Sequence, residues 1–159
     1  MRYVIVCVAA MAAVVAVAAA PGADDIVGLW ATDPEGEGGQ AHVEIYEQDG
    51  RYAGRIVWLE EPVYDADDPM AGQPKVDREN PDPALRDRPV EGLLIMEGFE
   101  YDGDGRWSGG TIYDPDNGKT YKSKVKLEDG LLKVRGFIGF SLLGRTTEWT
   151  RVEEAGGQE

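Results

Sequence analysis

From Ile26 onward, apolar and polar residues alternate with a period of two, and the breaks between the runs are filled with Gly, Asp, Asn and Pro. A period of two puts successive side chains on opposite faces of an extended chain, so the pattern predicts antiparallel strands with one buried face. Eight runs qualify: Ile26 to Thr32, Ala41 to Glu47, Arg51 to Leu59, Leu93 to Tyr101, Arg106 to Asp114, Lys119 to Glu128, Leu131 to Phe140 and Arg145 to Val152. The connections Gln48-Asp49-Gly50, Asp102-Gly103-Asp104-Gly105, Pro115-Asp116-Asn117-Gly118 and Asp129-Gly130 are short and carry turn residues, which makes their flanking strands hairpin neighbours.

Eight sequential strands are enough to close on themselves and so remove the edges an open sheet would expose. The expected fold is therefore all-β, an eight-stranded antiparallel up-and-down barrel with one long irregular loop, with a two-sheet sandwich as the rival. Glycines within the strands, at Gly54, Gly98, Gly109, Gly110, Gly136 and Gly139, suit the bends of a closed barrel better than a flat sheet. Alternation assigns Tyr121, Ser123, Val125 and Leu127 to the interior, against Thr120, Lys122, Lys124 and Lys126 in water. By the same reasoning Val43 and Ile45 point inward, as do Leu132, Val134, Gly136, Ile138 and Phe140.

Pro62 to Gly92 breaks the pattern. It carries most of the prolines, charges of both signs and a single helical turn, Pro83 to Asp87, with Asp82 as the acidic cap and Pro83 at the first position. Long connections of this kind in a small domain are lids or insertions, and a lid over one barrel mouth is the reading adopted.

Ahead of the barrel, Met1 to about Ala20 has one positive charge, Arg2, then an unbroken Ala- and Val-rich run ending in small residues, the pattern of a signal peptide cut near Ala18 or Ala19. A retained anchor is the alternative. Residues 24–153 are then expected to form the barrel domain and 154–159 a disordered tail, in a periplasmic or secreted protein with no transmembrane span once the leader is lost. The one cysteine, Cys7, lies inside the leader, so the domain must hold together by its core, without a disulfide.

The charge of −14 narrows the partners. No nucleic-acid partner is expected, because a phosphate backbone needs a basic face. The plain reading of the acidity is solubility.

Gly28-Leu29-Trp30 resembles the Gly-x-Trp signature of lipocalin and calycin barrels. In that superfamily the tryptophan closes one barrel end and a late arginine packs across it, a part that Arg145 or Arg151 could take here. A closer resemblance rests on Gly54-Arg55-Ile56-Val57-Trp58-Leu59, on Asn80 to Arg86 with Arg88-Pro89, on Trp107 to Pro115 with Gly118 to Tyr121, and on Gly144-Arg145-Thr146 with Trp149-Thr150-Arg151. These stretches are similar to the bacterial secreted family catalogued as domain of unknown function twenty-one forty-seven. The resemblance implies a lipocalin-like fold and no established activity. Many members carry cysteines where Tyr52-Ala53 stands here, so no disulfide carries over.

Catalytic and metal chemistry have little to stand on. The only histidine, His42, sits on a charged strand face beside Glu44, and no Gly-x-Ser-x-Gly elbow occurs. One histidine and no mature cysteine leave zinc short of the two or more His or Cys ligands it wants, and no cofactor is expected. The acid runs Asp102-Gly103-Asp104-Gly105 and Asp65-Ala66-Asp67-Asp68 read as turns and solvated surface, since neither has the glutamate that ends a calcium loop. The candidate ligand-binding set is instead Trp30, Arg55, Trp58, Tyr113, Asp114, Lys119, Tyr121, Arg145 and Trp149, aromatic and polar residues on strands that need only aliphatic ones. The same residues are also what fills the ends of a solid small barrel.

Three readings follow. The first is a non-enzymatic binding protein for a small apolar or amphipathic ligand. The second is an envelope protein-interaction module with a packed barrel, and the third, weaker, is a hydrolase.

Overall fold

The computed structural model describes residues 19–33, 39–140 and 142–153. The leader expected over 1–20, apart from Ala19 and Ala20, and the tail expected over 154–159 lie outside the described residues.

Eight strands form: β1 (Gly28–Ala31), β2 (Ala41–Gln48), β3 (Arg51–Leu59), β4 (Leu94–Gly103), β5 (Arg106–Asp114), β6 (Lys119–Glu128), β7 (Leu131–Phe137) and β8 (Gly144–Arg151). Each pairs antiparallel with the next, and β1 pairs with β8 through Trp30↔Arg151 and Ala31↔Thr150, closing the barrel in sequence order. The sandwich is ruled out. Closure is achieved at its narrowest seam, two residue pairs long, which leaves no free sheet edge.

The hairpins at one end share a mechanism. Asp49, Asp104 and Asp129 adopt φ of 54°, 52° and 53°, and the glycine after each is also left-handed. Two consecutive left-handed residues make the turn whose twist matches the flanking strands, and Asp tolerates that region better than most side-chain-bearing residues.

The interior follows the alternation. Val43, Ile45, Tyr52, Ile56, Met96, Phe99, Trp107, Val125, Leu132, Val134 and Trp149 are buried in one cluster. Burying each large side chain contributes about 1.5–3 kcal/mol relative to leaving it in water. Among the strand glycines, Gly110 has a packing reason rather than a bending one: a Cβ there would lie 2.4 Å from the Phe99 ring.

Two expectations need correcting. Ile26 belongs to a short 3-10 turn, Ala23–Ile26, rather than to β1. In addition β7 ends at Phe137, so Ile138 and Phe140 lie outside the barrel, 70% and 84% exposed, because alternation no longer applies once the ladder stops.

The two ends of the barrel differ in their connections. The β2–β3, β4–β5 and β6–β7 turns and the 3-10 turn sit at one end, and the β1–β2, β3–β4, β5–β6 and β7–β8 connections sit at the other. The long 62–92 segment, part of the β3–β4 connection, therefore lies at the second end. It holds the expected helical turn, Pro83–Leu85, with the Asp82 side chain accepting from the Ala84 N–H at 3.0 Å. It also forms two isolated bridges, Val63↔Pro74 and Val76↔Pro89.

Candidate functional site

The first end is plugged. The 3-10 turn lies across it, and the polar atom of each nearby aromatic is tied to that segment: Trp30 Nε1 donates to the Ile26 carbonyl at 2.8 Å, Trp107 Nε1 to the Ala23 carbonyl at 3.2 Å, and the Tyr52 hydroxyl to Asp24 Oδ1 at 2.7 Å. Arg151 lies over the Trp30 ring, 4.3 Å from its centroid, and donates to the carbonyls of Val27 and Asp25. The late arginine that crosses the tryptophan is thus Arg151 and not Arg145. Burial, then the Asp24 carboxylate, pushes the Tyr52 phenol up to about 12.

The second end holds a cavity of about 1250 Å³. That exceeds the roughly 300–1,000 Å³ of ordinary small-molecule sites, because it runs from the barrel interior out between the loops. Its inner wall comes from the strands: Ile56, Ile95, Ile112, Val134 and Trp149. Its outer part comes from the 62–92 segment, through Tyr64, Val76 and Val90, and from the neighbouring turns. Ser123 faces the interior one step below Tyr121. Its Oγ is buried and has no hydrogen-bond partner among the described residues.

A buried polar knot fastens the 62–92 segment over this end. Asp77 is fully buried and accepts from Tyr113 Oη on β5, from Asn80 Nδ2 at 2.8 Å and from Arg88 Nη2 at 2.8 Å. A buried carboxylate is tolerated only when hydrogen-bonded and paired in this way. Burial and the Asp77 carboxylate together push the Tyr113 phenol up to about 12. A second fastening lies at the β5–β6 turn, where Gly118, at φ +66°, abuts the Glu79 carbonyl so closely that a Cβ would fall 1.9 Å from its oxygen.

Of the nine candidate ligand residues, the fold brings Tyr113, Asp114, Tyr121, Arg145 and Trp149 together along the cavity. The other four lie elsewhere. Trp30 is the floor of the plugged end. Arg55 points outward between the buried Gly54 and Ile56 and pairs with Glu44 at 2.7 Å. Trp58 shares the parity of Ile56, yet a bulge, in which Val43 pairs with Ile56 and His42 with Trp58, turns it outward. It stacks on His42 with ring centroids 4.3 Å apart and is 42% exposed. Lys119 stands exposed at the start of β6, paired in register with Asp114.

Sequence reasoning assigned no role to Asp77, Asn80 and Arg88. The available signal was the Asn80 to Arg86 and Arg88-Pro89 stretch, on which the family resemblance rests. His42 stacks outside the barrel, away from the cavity. Among the described residues no cluster of three or more His, Cys, Asp or Glu is arranged to hold a metal, and no helix is long and apolar enough to cross a membrane.

A closed antiparallel barrel with one plugged end and one loop-covered cavity is a lipocalin-like fold. The chain belongs to the family described as uncharacterised proteins conserved in bacteria, DUF2147, whose model matches residues 28–151. It is also similar in structure to protein HP1028 from Helicobacter pylori, described as belonging to the lipocalin family, with a TM-score of 0.69 and 23% identity over 81% of this chain and 84% of that one. At that identity the likeness speaks for the fold alone. No curated protein matches the chain in sequence.

Proposed function

We propose that this chain is an extracytoplasmic carrier that holds a small apolar or amphipathic ligand in the barrel beneath the 62–92 segment. The observation that carries the reading is the cavity itself: about 1250 Å³ with an apolar inner wall, in a barrel small enough to have been packed solid. Export rests on the Met1 to Ala20 pattern. The test is native mass spectrometry of the protein from cells, together with uptake of an uncharged naphthylamine dye. One bound small molecule or one dye site per chain is expected, and an empty protein that takes up no dye would reject the reading.

A second reading, an envelope interaction module, draws on the β7–β8 turn, where Ile138, Phe140, Leu142 and Leu143 are all at least 70% exposed. Crosslinking in cells tests it, and it fails if no partner is trapped through this turn. A hydrolase has no specific support. The cavity's inner wall is apolar, and among the described residues that line it there is no serine, cysteine or histidine.

A further inference from the structure

The cavity is amphipathic along the barrel axis. Its deep wall is aliphatic and aromatic, whereas its mouth is built by connections rich in acid. Eight carboxylates but only three cationic side chains line it. Of the three cations, Lys75 lies 3.4 Å from Glu61, and Arg78 lies 2.8 Å from Asp68 and 3.7 Å from Glu79, all acids of the same rim. Asp65 and Asp67 on the covering segment, and Asp114 at the end of β5, add to the negative charge, against which Arg145 is the third cation. Carboxylates gathered round an opening with low-dielectric walls focus a negative potential into it, so the site attracts a cationic head and repels an anionic one.

That asymmetry does not by itself make a binding site. The site is the hollow interior, whose inner wall of Ile56, Ile95, Ile112, Val134 and Trp149 is apolar. Gly136 on β7 lines it. Gly136 itself keeps the space open. A Cβ there would meet Ile112 and Tyr121 only at ordinary contact, 3.5 Å, so a larger side chain would project into the hollow.

We infer that the ligand is a cationic amphiphile, an amine or quaternary ammonium on an apolar body, with its head among the mouth carboxylates and its body against Ile56, Ile112, Val134 and Trp149. This rests on the carrier reading and sharpens it. An apolar pocket alone would accept a fatty acid equally well; the acid rim would not.

The test measures displacement of the uncharged naphthylamine dye from the purified protein by dodecylammonium and by dodecanoate, both below their micelle concentrations. Dodecylammonium is expected to bind at least about tenfold more tightly in low salt, a preference that shrinks as salt screens the rim. Asp65→Asn with Asp67→Asn should reduce the preference. Asp102→Asn with Asp104→Asn, the same charge change at the plugged end, should not. Gly136→Leu, with its fold confirmed by circular dichroism, should abolish dye and amine binding together. Dye uptake with equal or tighter dodecanoate binding would overturn this inference and leave the carrier standing. Equal effects of the two double substitutions would overturn it as well, since the preference would then reflect net charge alone. Failure of dye and amine alike would overturn the carrier reading itself.

Discussion

The two ends of this barrel use the same kinds of side chain for opposite purposes. At the plugged end, tryptophan and tyrosine spend their polar atoms on the 21–27 segment and their rings on one another, Tyr52 and Trp107 meeting edge-on with centroids 6.3 Å apart. At the other end Tyr113 spends its hydroxyl on a loop, through Asp77, while the Trp149 Nε1 donates within its own strand, to Thr147 Oγ1 at 3.1 Å, and its side chain lines the hollow. Burial therefore buys stability where the aromatics face each other and leaves space where they face a loop.

The largest effect expected from breaking that contrast is Trp107→Ala. This ring is fully buried against Tyr52 and Tyr101, and its removal should cost about 3–5 kcal/mol, read as a shift in the urea midpoint. Dye binding at the far end should survive in the fraction that remains folded. If the cavity emptied of dye at the same time, the two ends would be one cooperative structure and the contrast would be false.

Asp77→Ala comes next and acts at the loop. It leaves Arg88, Asn80 and Tyr113 without their shared acceptor, and the loss should be about 2–3 kcal/mol, below the usual cost of breaking a buried pair because Arg88 is 43% exposed. Protease cleavage within 62–92 should accelerate, while the barrel amides keep their exchange protection. Gly118→Ala should free the same segment by pushing against the Glu79 carbonyl. Unchanged cleavage in both variants would show that the segment is held some other way.

These substitutions also mark what was legible beforehand. The strands, the Asp-Gly turns and the Asp82 cap were readable because each follows from local chemistry: a two-residue period, a left-handed turn, an N-terminal acceptor. Trp30 at a closed end was readable through the Gly-x-Trp resemblance. Trp58 was not, because a single bulge reverses a face and alternation carries no mark of where a bulge falls. Asp77 was not, because what makes it structural is Tyr113, 36 residues away, and a loop residue's burial is set by the tertiary fold. Arg55 was misplaced for a plainer reason: its neighbours Gly54 and Ile56 already put it outside.

The smallest effect compares the two anchoring tyrosines directly. Both phenols are pushed up to about 12, against about 10 in the unfolded chain, because each is buried and donates to a carboxylate. A folded-state value above the unfolded one means that the native state holds its proton longer. The stabilisation is then complete below pH 10 and lost as the pH rises toward 12. Phe at either position removes one hydrogen bond, about 0.5–1.5 kcal/mol, and one late-ionising phenol from the ultraviolet titration. Yet ionising them should have different consequences. Ionised Tyr52 faces Asp24 on the plug and should loosen the 21–27 segment, whereas ionised Tyr113 faces Asp77 and should release the 62–92 segment first. Alkaline proteolysis of wild type, Tyr52→Phe and Tyr113→Phe separates the two. If Tyr113→Phe does not blunt the alkaline rise in cleavage within 62–92, that segment is not fastened through Asp77.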